Sequence, residues 1–103
     1  MKFKPIIISE TAGSSLVGIL DVSYHDLERV FGPPHVDGSW DGKTKAEWDV
    51  KFEDGTVAAI YDYYSPDDPV ENREWHVGGF SVEAVCLVTD LLAEFGIEYE
   101  ILC

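Results

Sequence analysis

Apolar and polar positions alternate with period two in the central hairpin and the final strand and with a period near 3.6 in two stretches, so strands and helices can be placed by pattern. The clearest segment runs from Asp37 to Tyr64, DGSWDGKTKAEWDVKFEDGTVAAIYDYY. Asp54-Gly55 stands between two alternating runs, the signature of a two-residue type I′ hairpin loop. That loop predicts a register pairing Glu53 with Thr56, Phe52 with Val57, Val50 with Ala59, Trp48 with Tyr61 and Ala46 with Tyr63. Those last four pairs form an apolar core face that includes Trp48 and Tyr61. The opposite face reads Lys51/Ala58, Asp49/Ile60 and Glu47/Asp62.

The remaining elements follow from similar signals. Lys2–Ile8 reads as a strand rich in β-branched residues, and Leu16–Val22 as a second. Ser23 reads as an N-cap with Asp26 in the first helical turn; Leu27, Val30 and Phe31 form the apolar face, and Gly32-Pro33-Pro34 ends the helix. Glu74–Val77 reads as a short strand closed by Gly78-Gly79, a pair that would let a backbone approach a ligand closely. Ser81 caps a longer helix through Phe95, with Val82, Val85, Val88, Leu92 and Phe95 turned inward and Gly96 as its C′ residue. Ile97, Tyr99 and Ile101 alternate along a final strand whose outer face carries Glu98 and Glu100. The order β-β-α-β-β-β-α-β predicts an α+β fold: one domain over residues 1–103, a mainly antiparallel sheet of five to six strands, and two helices packed on one face.

Charge changes this picture more than composition does. Twenty Asp and Glu against seven Lys and Arg give a formal −13 in 103 residues. Such a field disfavours direct binding of DNA or RNA and favours basic surfaces. A 46% hydrophobic and 13% aromatic content is that of a folded chain. No apolar run approaches a membrane span, and no export signal is visible. Cys86 and Cys103 form no metal or redox motif and read as reduced thiols of a cytosolic protein.

No catalytic signature emerges. His25, His35 and His76 belong to no hydrolase or metallopeptidase pattern, and Asp37-Gly-Ser-Trp-Asp41-Gly lacks the ligand alternation of a calcium loop. The chain reads as a non-enzyme without metal or cofactor. Binding groups are better represented. Trp40, Tyr64 and Trp75 are candidate stacking surfaces, with Lys43, Lys45, Arg73 and His76 nearby in sequence as candidate phosphate contacts. Asp62, Asp67, Asp68, Glu71 and Glu74 are candidate carboxylates for a basic partner.

Several pieces recur together in one order: Ser14-Ser15-Leu16-Val17-Gly18, Tyr24-x-x-Leu27-x-x-x-Phe31-Gly32-x-Pro34, Asp41-Gly42-Lys43, Glu47-Trp48-x-Val50, Ala59-Ile60-Tyr61-Asp62-Tyr63 and Trp75-His76-Val77-Gly78-Gly79. The set, over roughly residues 14–90, resembles a widespread family of small proteins encoded by bacteriophages and other large DNA viruses. This chain departs from it in having no aromatic between Asp41-Gly42 and Lys43, and Tyr64 where the family usually has Lys. The resemblance implies a counter-defence protein acting by stoichiometric binding in the cytoplasm of an infected cell. Two versions fit. One is a sponge that sequesters a cyclic nucleotide signal, as anti-CBASS proteins do, in a homo-oligomer with shared pockets, and this version comes first. The alternative is an acidic inhibitor, like some anti-CRISPR proteins, that occupies the basic surface of a host defence protein.

Overall fold

A computed structural model describes residues 2–6, 13–34, 44–63, 68 and 70–102; of Thr44, Lys45 and Tyr63 it describes the backbone. The expected element order is present: β1 (Phe3–Pro5), β2 (Ser15–Asp21), α1 (Tyr24–Phe31), β3 (Thr44–Phe52), β4 (Val57–Tyr63), β5 (Glu74–Gly79), α2 (Glu83–Glu94) and β6 (Glu100–Ile101). All six strands join one antiparallel sheet in the order β1-β3-β4-β5-β2-β6. The chain therefore forms an α+β fold, with both helices packed on one face. The first and last strands are shorter than the pattern predicts. Of the long first strand, Phe3–Pro5 is extended and paired, while residues 7 and 8 lie outside the described set.

Local chemistry accounts for both ends of α1 and for the C-terminal end of α2. The Ser23 hydroxyl accepts from the Asp26 backbone N–H at 3.2 Å, the cap expected from sequence. At the other end, Gly32 takes a positive φ of 82° and donates its N–H to the Glu28 carbonyl. In α2 the cap position falls on Val82, one residue after the expected Ser81, and no side chain caps it; the Ser81 hydroxyl accepts from the Glu83 N–H at 3.3 Å. Gly96, with φ 71°, is the C′ residue of a Schellman turn: its N–H donates to Ala93 and that of Ile97 to Leu92. The buried stripe of α2 is Ala84, Val85, Leu87, Val88, Leu91 and Leu92. Val82 and Phe95, expected inside, are exposed, because they lie just beyond the two ends of the helical stripe.

The hairpin register differs from the expected one by one residue. Trp48 pairs with Ile60, Val50 with Ala58 and Glu47 with Tyr61. The loop holds three residues, not two: the Phe52 N–H donates to the Thr56 carbonyl at 2.8 Å and the Gly55 N–H to the Phe52 carbonyl at 2.9 Å. Gly55 takes a positive φ of 94°, as in a type I turn followed by a left-handed residue. The Asp54 carboxylate accepts from the Thr56 N–H, which lowers the Asp54 pKa and stabilises this longer loop. A slip of one residue exchanges the faces of a strand. Ala58, Ile60 and Asp62 therefore face the helices, and Tyr61 lies on the opposite face beside Glu47.

The core sits between the helices and the face formed by Leu20, Ala46, Trp48, Val50, Phe52, Ala58, Ile60, Trp75 and Val77. At its centre the Trp48 and Trp75 rings meet edge-on with centroids 5.3 Å apart, and Tyr24 of α1 leans on both. Each buried indole N–H is satisfied, Trp48 by the Gly32 carbonyl at 2.7 Å and Trp75 by the Asn72 carbonyl at 3.2 Å. Gly79 lets α2 sit close to β5: a Cβ built there would lie 2.6 Å from the Ala84 Cβ and 3.2 Å from the Val57 carbonyl oxygen. The close approach anticipated at the Gly-Gly pair is thus made by a helix of the same chain. Gly79→Ala is expected to cost about 1–3 kcal/mol by overpacking, read from urea unfolding. Gly78→Ala, whose Cβ would meet no atom closer than 3.5 Å, is expected to cost clearly less.

Candidate functional site

Side chains of chemical interest gather on the sheet face away from the helices, in rows that cross the strands. One row joins Glu47, Tyr61, His76 and Ile19, residues directly opposite one another on β3, β4, β5 and β2. A second joins Glu74, Asp21 and Glu100 on β5, β2 and β6.

The first row carries an unusual carboxyl group. Glu47 and Asp49 are two residues apart on β3, so their side chains share a face, and Asp49 is fully buried. Burial, a hydrogen bond to Asp49 and the negative charges of Asp49 and Asp62 push the Glu47 pKa from 4.5 to about 8. The Glu47–Asp49 pair therefore retains a proton into the neutral range. The Tyr61 and His76 rings are in contact, with centroids 5.6 Å apart. The Tyr61 ring edge also lies 3.5 Å from where a Gly78 Cβ would be, as does the Ser14 hydroxyl oxygen.

The second row is an exposed acidic strip. Glu74 and Glu100 are exposed on either side of Asp21, and carboxylates directly opposite on neighbouring strands repel. Arg73 offsets part of this by placing Nε 2.7 Å from the Asp21 Oδ1. Asp21, Arg73, Glu98, Tyr99 and Glu100 line a shallow groove of about 200 Å³. Asp68 and Glu71, both exposed, belong to the turn that leads into β5; the Asp68 carbonyl accepts from the Glu71 and Asn72 N–H groups at 2.9 and 3.1 Å. Asn72 is the anchor of this end. Its buried amide donates to the Glu74 carbonyl at 2.8 Å and accepts from the Glu74 N–H, and its own carbonyl holds Trp75. Burial of Trp75 thereby fixes where the carboxylates stand. Tyr99 and Leu102 are exposed along the same edge, so the strip has an apolar border; Ile101, exposed at the same edge, faces the helix side with its register partner Leu20.

The expected site residues separate into distinct groups. Trp75 is fully buried, because β5 alternation turns it toward Trp48 and Leu20, and it offers no stacking surface. Asp62 is also fully buried: its Oδ1 accepts from the Ala46 N–H at 2.9 Å, where the β3–β4 ladder is interrupted by a bulge. It serves the fold and presents nothing to a partner. Arg73 is exposed but paired with Asp21, and His76 packs on Tyr61. Asp68, Glu71 and Glu74 are exposed at one end of the sheet, as a partner-binding role requires. Trp40, Lys43, Tyr64 and Asp67 lie outside the described residues, as does the side chain of Lys45. Sequence reasoning missed Asp21, Glu98 and Glu100 as members of the strip, and missed the Glu47–Asp49 pair. Alternation placed Glu98 and Glu100 on an outer face, but only the strand order brings them beside Asp21 and Glu74.

Among the described residues, no group of three or more His, Cys, Asp or Glu side chains could hold a metal ion, and no helix is long and apolar enough to cross a membrane. Compared with known proteins, the chain matches no family model, no curated protein and no solved structure.

The raised Glu47 pKa ties stability to pH with a definite sign. The folded chain holds this proton more tightly than the unfolded chain, so its stabilisation is complete below the ordinary value of 4.5 and is lost as pH rises through about 8. Urea unfolding at about pH 5, 7 and 9 should show wild type weakening along the series. Glu47→Gln, which places a non-titrating amide beside Asp49, should flatten that trend and be the more stable form at the highest pH. Parallel curves for the two proteins would rule out a proton held at Glu47.

Proposed function

We propose that this chain is a non-catalytic counter-defence protein of viral origin. It acts by stoichiometric binding in the cytoplasm of an infected cell, and its exposed carboxylates occupy the basic surface of a host defence protein. The observation that carries the reading is the Glu74–Asp21–Glu100 row, flanked by Glu98, Glu71 and Asp68. Adjacent strands stand roughly 4.8 Å apart, so one guanidinium or ammonium group of a partner meets two carboxylates at once. The exposed Tyr99 and Leu102 beside the row supply the apolar contact that a charged strip alone lacks.

Sequestration of a cyclic nucleotide, the other version implied by the resemblance, draws less support from the described side chains. Trp75 is inside the core, and Arg73 already pairs with a carboxylate of this chain. The acidic strip would also repel a phosphate approaching Arg73.

The reading is tested by location as well as by charge. Purified protein is used to capture partners from host lysate, and the recovered complex is washed with rising salt. Glu71→Gln, Glu74→Gln and Glu100→Gln together should abolish capture. Glu53→Gln, Glu83→Gln and Asp90→Asn together remove the same formal charge elsewhere and should leave capture intact. The wild-type complex should weaken steeply as salt shortens the screening length to below about 8 Å. Equal loss in both triple variants, or a complex indifferent to salt, would mean that the strip is not the contact surface.

A further inference from the structure

The two outer strands of the sheet carry the same pattern with opposite charge. On β1, Lys4 is the register partner of Lys51 and lies on the face away from the helices, as Lys2 does by alternation. Phe3 and Pro5, opposite Phe52 and Val50, lie on the helix side. On β6, Glu100 is the partner of Asp21 and lies away from the helices, while Ile101, the partner of Leu20, lies on the helix side. Lys2, Lys4, Pro5, Glu100 and Ile101 are exposed, and Phe3 is half-buried. Each edge is therefore charged on one face and apolar on the other, basic at β1 and acidic at β6.

The backbone of both edges is open. Among the described residues, β1 pairs only with β3 and β6 only with β2. The Lys2 carbonyl and the Ile6 N–H bond to β3, and the Leu102 N–H bonds to the Ile19 carbonyl. By alternation Phe3 and Ile101 turn their own N–H and C=O groups outward. Neighbouring strands are all antiparallel and six in number, so β1 and β6 run in opposite directions. A second copy set alongside, with its helices on the same side, thus brings β1 against β6 in the antiparallel sense used by the rest of the sheet. Phe3 then stands opposite Ile101 on the helix side, the two exchanging a pair of backbone hydrogen bonds. Lys4 stands opposite Glu100 on the other face, at the closer spacing of a non-hydrogen-bonded pair. Like edges do not match: β1 against β1 brings lysines together, and β6 against β6 brings carboxylates together.

We propose that this chain associates head to tail with further copies of itself, β1 of one copy joining β6 of the next. Pro5 has no N–H to donate, so the added ladder stays short. Two short strands make a contact far smaller than the roughly 1,200–2,000 Å² of stable complexes, so association is reversible and rises with concentration. The contact joins unlike surfaces, so it leaves one free edge of each kind at the ends of a row. It also takes Glu100 out of the acidic strip, so a copy engaged at β6 presents fewer carboxylates to a basic partner. The inference does not rest on that partner: it is read from the purified chain alone, and either assignment can fail without the other.

The test is sedimentation equilibrium of the whole chain from about 10 μM to about 1 mM, the range of weak association. Wild type should gain mass with concentration, and its Phe3 and Ile101 amide NMR signals should shift along the same series. Lys4→Glu and Glu100→Lys each set like charges across the contact and should weaken association by about tenfold. Mixed in equal amounts, the two variants again present opposite charges between unlike copies, and the mixture should associate as wild type does. A wild type that stays monomeric throughout would overturn the proposal. So would single variants that associate as strongly as wild type, or a mixture that recovers nothing.

Discussion

The contact between Trp48 and Trp75 is the constraint from which the rest of the molecule is arranged. Each indole removes about 150–250 Å² from water, worth roughly 4–6 kcal/mol at 25 cal/mol per Å². Neither ring could be buried at that gain if its N–H were left without an acceptor. The two acceptors are the Gly32 carbonyl at the end of α1 and the Asn72 carbonyl before β5. One contact thereby sets the height of a helix over the sheet and the path of the turn that carries Asp68 and Glu71. Surface and core are coupled through Asn72, whose side-chain amide bonds both the carbonyl and the N–H of Glu74.

Much of this architecture was legible in the sequence, because local chemistry and periodicity agree there. Ser23, Gly32 and Gly96 begin or end helices as their residue types predict. The hairpin was legible as a hairpin but not in its register. β4 reads Val-Ala-Ala-Ile-Tyr, apolar on both faces, so the pattern does not distinguish two pairings that differ by one residue. Asp62 is consistent with the observed pairing only because its carboxylate replaces a missing ladder acceptor for Ala46, a bulge that alternation does not encode.

The candidate surfaces were legible only in pieces. Acidic residues at 68, 71 and 74 lie close in sequence and stay close in space. Asp21 joins them because β2 returns to pair with β5 across more than fifty residues of chain, and Glu100 because β6 adds to β2. Aromatic residues were harder to place. A Trp in a short strand reads the same whether it faces solvent or core, and Trp75 is settled by the alternation of β5 against Leu20.

The carboxyl pair on β3 has a consequence for the electrical identity of the molecule. The formal charge of −13 counts every Asp and Glu as ionised, yet a Glu47 that titrates near 8 remains mostly neutral in the folded state at pH 7. The native protein therefore migrates in an electric field as a less acidic particle than its amino-acid count implies. Unfolding at neutral pH liberates that hydrogen ion to the surrounding buffer. Heat absorbed on melting then includes the ionisation heat of whichever buffer takes it up, so calorimetric enthalpies from phosphate and from Tris differ by an amount that belongs to the Glu47–Asp49 pair.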